Sequence, residues 1–189
     1  MKKIIMTAIA VMAFTFSNAQ ETRFGVKGGL NIATIGGADN ANALVGFQVG
    51  GFAEIKILKK LAIQPELLYS AQGAKMDSSL SSDYTVNLNY INVPVLAKYY
   101  ITDAFTVEAG PQIGFLVSSK NVYDEKTVDV GFNIGAGYYL TENFSVGIRY
   151  TIGLSNIYDY DYDEAEDFGD VLDNTYTNNV LALTAAYKF

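Results

Sequence analysis

Along residues 144–155, FSVGIRYTIGLS, the side chains alternate between two chemistries. Phe144, Val146, Ile148, Tyr150, Ile152 and Leu154 hold the even positions, and Ser145, Gly147, Arg149, Thr151, Gly153 and Ser155 the odd ones. A period of two marks a strand with one apolar face and one small or polar face. The same pattern predicts seven further strands, over about 23–33, 43–55, 61–74, 86–101, 105–118, 128–140 and 179–189. Short turns at 56–60, 102–104 and 141–143 alternate with longer connections, the last of them an acidic loop over about 158–178.

Charge then decides which face meets which solvent. The apolar faces of all eight predicted strands are free of charge, whereas Lys27, Glu54, Glu66, Lys98, Glu108, Asp129, Arg149 and Lys188 all fall on the opposite faces. A soluble barrel needs an apolar interior, and faces rich in Gly, Ser, Gln, Asn and ions would make a poor one. Turned towards lipid they would be worse, since Lys or Arg at the bilayer midplane costs ~2–4 kcal/mol each. With the apolar face outside, no charge meets hydrocarbon. Closure is then required, because an open strand edge in lipid leaves backbone groups unpaired. The prediction is an all-β, eight-stranded antiparallel up-and-down transmembrane β-barrel, with short turns at the periplasmic end and longer loops outside. Phe144, Tyr150, Tyr187 and Phe189 face the membrane, as do Tyr69, Tyr99 and Tyr138; rings near strand ends suit the interface.

The inward charges can be placed more finely. If Asp103 centres its turn, positions symmetric about it lie opposite, which sets Lys98 against Glu108. Lys27, Glu54, Glu66 and Arg149 also lie in the strand halves nearest the short turns. An inward ion-pair network of Lys27, Glu54, Glu66, Lys98, Glu108 and Arg149 is therefore expected in the periplasmic half of the lumen, three residues of each sign. Balance matters because an unpaired ion in a confined interior is costly. Such a network could fill and pin the barrel, which the narrow interior of eight strands favours, or line a path for a solute. Pro65, Pro94 and Pro111 cannot donate to a ladder, so each is expected at a bulge or a locally distorted pairing.

Lys2 and Lys3 precede an apolar run from Ile4 to Phe16 and small residues at 17–19, the pattern of a cleaved export signal over 1–19. The barrel domain would then be 20–189. Losing both lysines moves the net charge from −7 to −9, which disfavours nucleic acid as a partner. The chain has no cysteine and no histidine, so disulfides, thiolate metal sites and the commonest general base are absent. No cofactor is expected and enzymatic activity is disfavoured. Asp159, Asp161 and Asp163 have the spacing of the first ligands of a calcium loop, but Glu164 stands where such a loop needs glycine and Asp170 where it needs glutamate. A solvated acidic loop is the better reading, and no metal site is assigned.

Ile63-Gln64-Pro65-Glu66-Leu67-Leu68-Tyr69-Ser70, followed by Gly73-Ala74-Lys75, and Tyr90-Ile91-Asn92-Val93-Pro94-Val95-Leu96-Ala97-Lys98-Tyr99 resemble the small outer-membrane β-barrel family common in Bacteroidetes, often called porin-family or PorT-like. Phe24-Gly25-Val26-Lys27-Gly28-Gly29-Leu30-Asn31 is similar to that family's opening strand. Asn92 departs from the acidic residue expected before the Ile/Val-Pro pair. The resemblance implies an eight-stranded barrel in the outer membrane of a Gram-negative cell, in contact with outer-membrane lipid. Tyr187 and the terminal Phe189 look like the aromatic end that the barrel assembly machinery recognises. Two functions follow as expectations: a closed, side-chain-filled barrel with a structural or surface-interaction role, or a narrow porin-like channel or small-solute transporter.

Overall fold

The computed structural model describes residues 22–37, 41–76, 84–120, 126–156 and 176–189. The expected export signal and the aspartates at 159–163 lie outside them. Among the described residues the chain forms β1 (Thr22–Gly36), β2 (Ala41–Leu58), β3 (Leu61–Met76), β4 (Tyr84–Tyr100), β5 (Phe105–Lys120), β6 (Val128–Tyr139), β7 (Phe144–Gly153) and β8 (Thr177–Lys188). Each pairs antiparallel with the next, and β8 returns to β1, closing the barrel. No strand edge is left open, as an apolar solvent requires.

The short turns are held by their own side chains. Thr102 Oγ1 accepts from the amide of Phe105 at 2.9 Å, and Thr141 Oγ1 accepts from that of Phe144 at 3.0 Å. Both are local hydroxyl-to-backbone bonds that favour reversal over extension. The remaining short turn is tighter than its sequence suggests, for Leu58 pairs with Leu61 and only Lys59 and Lys60 intervene.

The predicted alternation is present in all eight strands. Leu30 and Leu67 are 58% exposed and Ile148 is 48% exposed, while Arg149, next to Ile148, is 4% exposed. Lys75 is an exposed charge near the end of β3. That strand has 16 residues, more than the ~9–11 needed to cross a bilayer, so its loop end extends past the hydrocarbon.

The lumen is not uniformly polar. At its loop end Ile35, Ala74, Val86, Leu88 and Tyr90 form an apolar cluster, against which Leu116 and Tyr176 pack. Below it runs a polar layer, in which Asn31 donates to Ser70 at 2.8 Å and Thr151 donates to Asn133 at 2.7 Å. All the buried ions except Asp129 of β6 occupy the half nearest the short turns.

None of the prolines sits at a register shift. The shifts fall between Ala43 and Gln48 and between Lys56 and Leu58 in β2, and beside Asn89–Tyr90 in β4. At each proline the pairing instead skips two positions and resumes in the same register. It passes from Phe52–Glu66 to Ile55–Ile63 across Pro65, from Pro65–Val95 to Leu68–Asn92 across Pro94, and from Pro94–Gln112 to Ala97–Ala109 across Pro111. Of the two expected outcomes, local distortion is the one found. A missing donor interrupts a ladder without adding a residue, so the inward and outward labels survive.

Gly73 and Gly37 are the two described glycines with positive φ, and Gly73 is the one inside a strand. The φ of Gly73 is +140°, and an added Cβ would collide with the carbonyl of Val86. Gly51 is the contrasting case, since a Cβ there meets only the Gly25 carbonyl at 3.5 Å. Gly73→Ala is expected to destabilise the refolded barrel by on the order of 1–3 kcal/mol, with Gly51→Ala close to wild type. Urea unfolding in lipid vesicles measures both, and equal midpoints for the two variants would contradict the strain assigned to Gly73.

Candidate functional site

Of the six charges expected to meet in the lumen, the structure places all six inside, in two linked groups. Glu66, 2% exposed on β3, centres the first. It accepts from Lys27 Nζ at 2.5 Å, from Arg149 through Nη1 at 2.7 Å and Nη2 at 2.9 Å, and from Gln64 Nε2 at 2.6 Å. Arg149 also grips Glu108, with Nε at 2.9 Å and Nη2 at 2.5 Å from the same carboxylate oxygen. One planar guanidinium thus ties β3, β5 and β7 together, a task suited to a rigid fork of donors and not to the point charge of lysine.

Glu54 centres the second group. It accepts from Lys98 at 3.3 Å and from Lys188 at 2.9 Å, and also from the hydroxyl of Tyr139 at 3.1 Å. Both ammonium groups lie over the Tyr139 ring, Lys98 at 5.2 Å and Lys188 at 4.6 Å from its centroid. A cation over a ring face gains most where water is excluded, and Tyr139 contributes both its ring and its hydroxyl here. Tyr100 stacks on it with centroids 6.0 Å apart.

Two details differ from the sequence reading. Lys98 does lie opposite Glu108 in the β4–β5 register, yet its ammonium bonds Glu54 and Gln64, while Glu108 bonds Arg149. Strands in a barrel tilt, so side chains at one height come from different ladder positions. The other difference is Lys188. Its place at the β8–β1 seam, opposite Gly25, brings a fourth cation to the three carboxylates and ends the expected three-to-three balance. Its inward parity was legible, but its proximity to Glu54 depends on closure. Asp129 stands apart near the loop end, accepting from Ser155 at 2.5 Å.

Several outward aromatics lie at the short-turn end, while Phe47 and Tyr69, whose rings are 5.9 Å apart, and Phe115 lie farther towards the loops. Phe144 pairs with Tyr187 across β7 and β8, and the Tyr187 and Phe189 rings meet edge to face at 5.6 Å. Tyr99, Tyr138 and Phe105 are exposed near the same end. Tyr150 lies in mid-strand.

A closed sheet with an apolar exterior and an ionised, buried interior is a transmembrane β-barrel. The family comparison makes the class specific: the chain belongs to the outer membrane protein beta-barrel domain family, whose model matches residues 18–159. It is an integral outer-membrane barrel. No curated protein matches the sequence. Among solved structures, neisserial surface protein A is similar over 90% of this chain and 100% of its own, with 15% identity and a TM-score of 0.54. Ail, the attachment invasion locus protein of Yersinia pestis, is similar over 90% of this chain and 100% of its own, with 13% identity and a TM-score of 0.51. These likenesses concern the fold.

Glu66→Gln tests the energetic role of the network. It leaves Arg149 and Lys27 with one carboxylate fewer in a dry interior, and breaking a buried pair from one side costs ~3–5 kcal/mol. The urea midpoint of the variant in vesicles is expected to fall accordingly, while Glu142→Gln, on the exposed turn before β7, leaves it unchanged. Equal midpoints for the two variants would remove the network from any account of stability.

Proposed function

We propose that this protein is a closed outer-membrane barrel whose lumen is structural and whose outer loops carry its interactions. The filled interior is the observation that supports this reading. The ionic groups bridge opposite walls in the periplasmic half, and the apolar cluster of Ile35, Val86, Leu88 and Tyr90 occupies the loop end. The void among Lys27, Phe52, Lys98 and Glu108 is about 20 Å³, room for roughly one water. A hydrated solute has no path through such an interior without breaking charge pairs that are costly to separate. In this reading the barrel performs no catalysis.

The loops are then the part that carries recognition. Between Arg149 and Lys188 the sequence carries eight carboxylates and no lysine or arginine, so the connection from β7 to β8 is strongly negative. Ail has been crystallised with the heparin analogue sucrose octasulfate; a polyanion of that kind would be repelled by this loop, so a cationic or neutral partner suits it better. The narrower PorT-like placement is supported by the Ile63–Ser70 and Tyr90–Tyr99 motifs, which supply Glu66 and Lys98 to the lumen. The aromatic end at Tyr187 and Phe189 supports recognition by the barrel assembly machinery.

Purified protein in a planar bilayer is expected to give no single-channel steps. Stable steps whose size changes when Glu66 or Arg149 is neutralised would replace this reading with that of a narrow channel for small solutes.

A further inference from the structure

The barrel wall is not equally full all round. Outside β5–β8 and β1, in the half nearest the short turns, lies an open groove of about 590 Å³. Its origin can be read in the ladder. One outward row runs Gly28–Ala185–Val146–Tyr138–Phe105 across five strands, and the next runs Leu30–Leu183–Ile148–Ala136. Gly28, Ala185 and Ala136 interrupt an otherwise bulky surface. Between these rows the inward positions are Gly29, Thr184, Gly147 and Gly137, so the wall there carries almost no side chain on its inner face either. A Cβ at Gly28 would meet nothing nearer than the Gln48 carbonyl at 3.7 Å, so the space beside it is open.

We propose that this groove seats one acyl chain of a phospholipid from the periplasmic leaflet, held in preference to the lipid around the rest of the barrel. The proposal rests on the reading that the outward faces meet hydrocarbon, and it adds a specific place and occupant. The groove is continuous with the exposed apolar wall, so hydrocarbon is the medium that reaches it. An unfilled hollow there would forfeit the dispersion contacts that close packing supplies. Across the barrel, Val49, Leu67 and Val95 stand outward and exposed, which leaves a convex, bulky surface against which a mobile chain only slides. The groove's position selects the leaflet. Phe105 opens β5 directly after a short turn, and Tyr138 lies one residue from the end of β6, which places both at the periplasmic interface. The exposed Tyr138 is an amphipathic ring of the kind favoured at that depth, able to offer its hydroxyl to a headgroup while its ring borders the chain.

The test uses full-length refolded protein in phosphatidylethanolamine and phosphatidylglycerol vesicles containing a trace of phospholipid with a diazirine on its acyl chain. After irradiation, peptide mass spectrometry locates the adducts. Adducts on 28–30, 136–138 and 183–185 are expected to exceed those on Val49, Leu67 and Val95 several-fold. Filling the groove with Gly28→Phe and Ala185→Phe should reduce them to the level of the opposite wall, and Ala136→Phe alone serves if the double variant does not refold. Even labelling around the barrel would overturn the groove while leaving the lipid-facing wall intact. Labelling nowhere on the outward faces would overturn both. Protein-to-protein cross-links through Ala136 and Ala185 would assign the groove to a second copy of the chain and overturn the lipid proposal.

Discussion

An ionised side chain facing acyl chains has no compensating partner, and the rest of this structure follows from avoiding that. Every strand carries a charged residue on its inward face and would otherwise be an ordinary amphipathic ribbon. Burying these charges in a cylinder turns every apolar face outward, and lipid then forbids any open backbone edge. The closed ring and the greasy exterior are one solution to a single constraint. The ions that force the closure also hold it, because Arg149 and Glu66 span the interior between strands far apart in the chain.

The interior is organised by height. Apart from Asp129, the ions occupy the half beside the short turns together with the stacked Tyr100 and Tyr139 rings, amides and hydroxyls the middle, and the apolar cluster the loop end. Concentrating the charge gives Glu54, Glu66, Lys98, Arg149 and Lys188 two or more partners each, which reduces the desolvation cost that isolated pairs would carry. The apolar cluster lies where the strands of β3 and β4 outrun the bilayer, and there a dry core protects the polar layers from the outside solvent. The three prolines fit this picture because the ladder positions they interrupt lie on neighbouring strand pairs whose register is unaffected, so the wall continues past each of them.

Much of this was legible in the sequence because side-chain direction in a strand depends only on parity. Parity alone put Arg149 and Glu66 on one side and Ile148 and Leu67 on the other. Partner choice was not legible. It depends on strand tilt and on the β8–β1 seam: Lys98 faces Glu108 on the ladder while its ammonium bonds Glu54, and Lys188 reaches Glu54 only because the barrel closes. The apolar plug escaped notice for a related reason: Ile35, Val86 and Leu88 come from strand ends beyond the predicted boundaries of β1 and β4 or at their margins, where alternation alone does not separate plug from loop. Tyr139 shares the inward parity of Asp129, but a ring serving two ammonium groups at once is a three-dimensional property with no linear signal.

The central claim is that hydrocarbon touches the apolar faces alone. The chain has no cysteine, so single cysteines can be placed from Phe144 to Gly153, each labelled with a nitroxide in the refolded, bilayer-embedded protein. Collision rates with oxygen and with a water-soluble nickel chelate then report lipid and water contact. The account predicts high oxygen accessibility at 146, 148, 150 and 152, and low accessibility to both reagents at 147, 149 and 151. The reverse pattern, with position 149 open to oxygen and position 148 shielded, would contradict it.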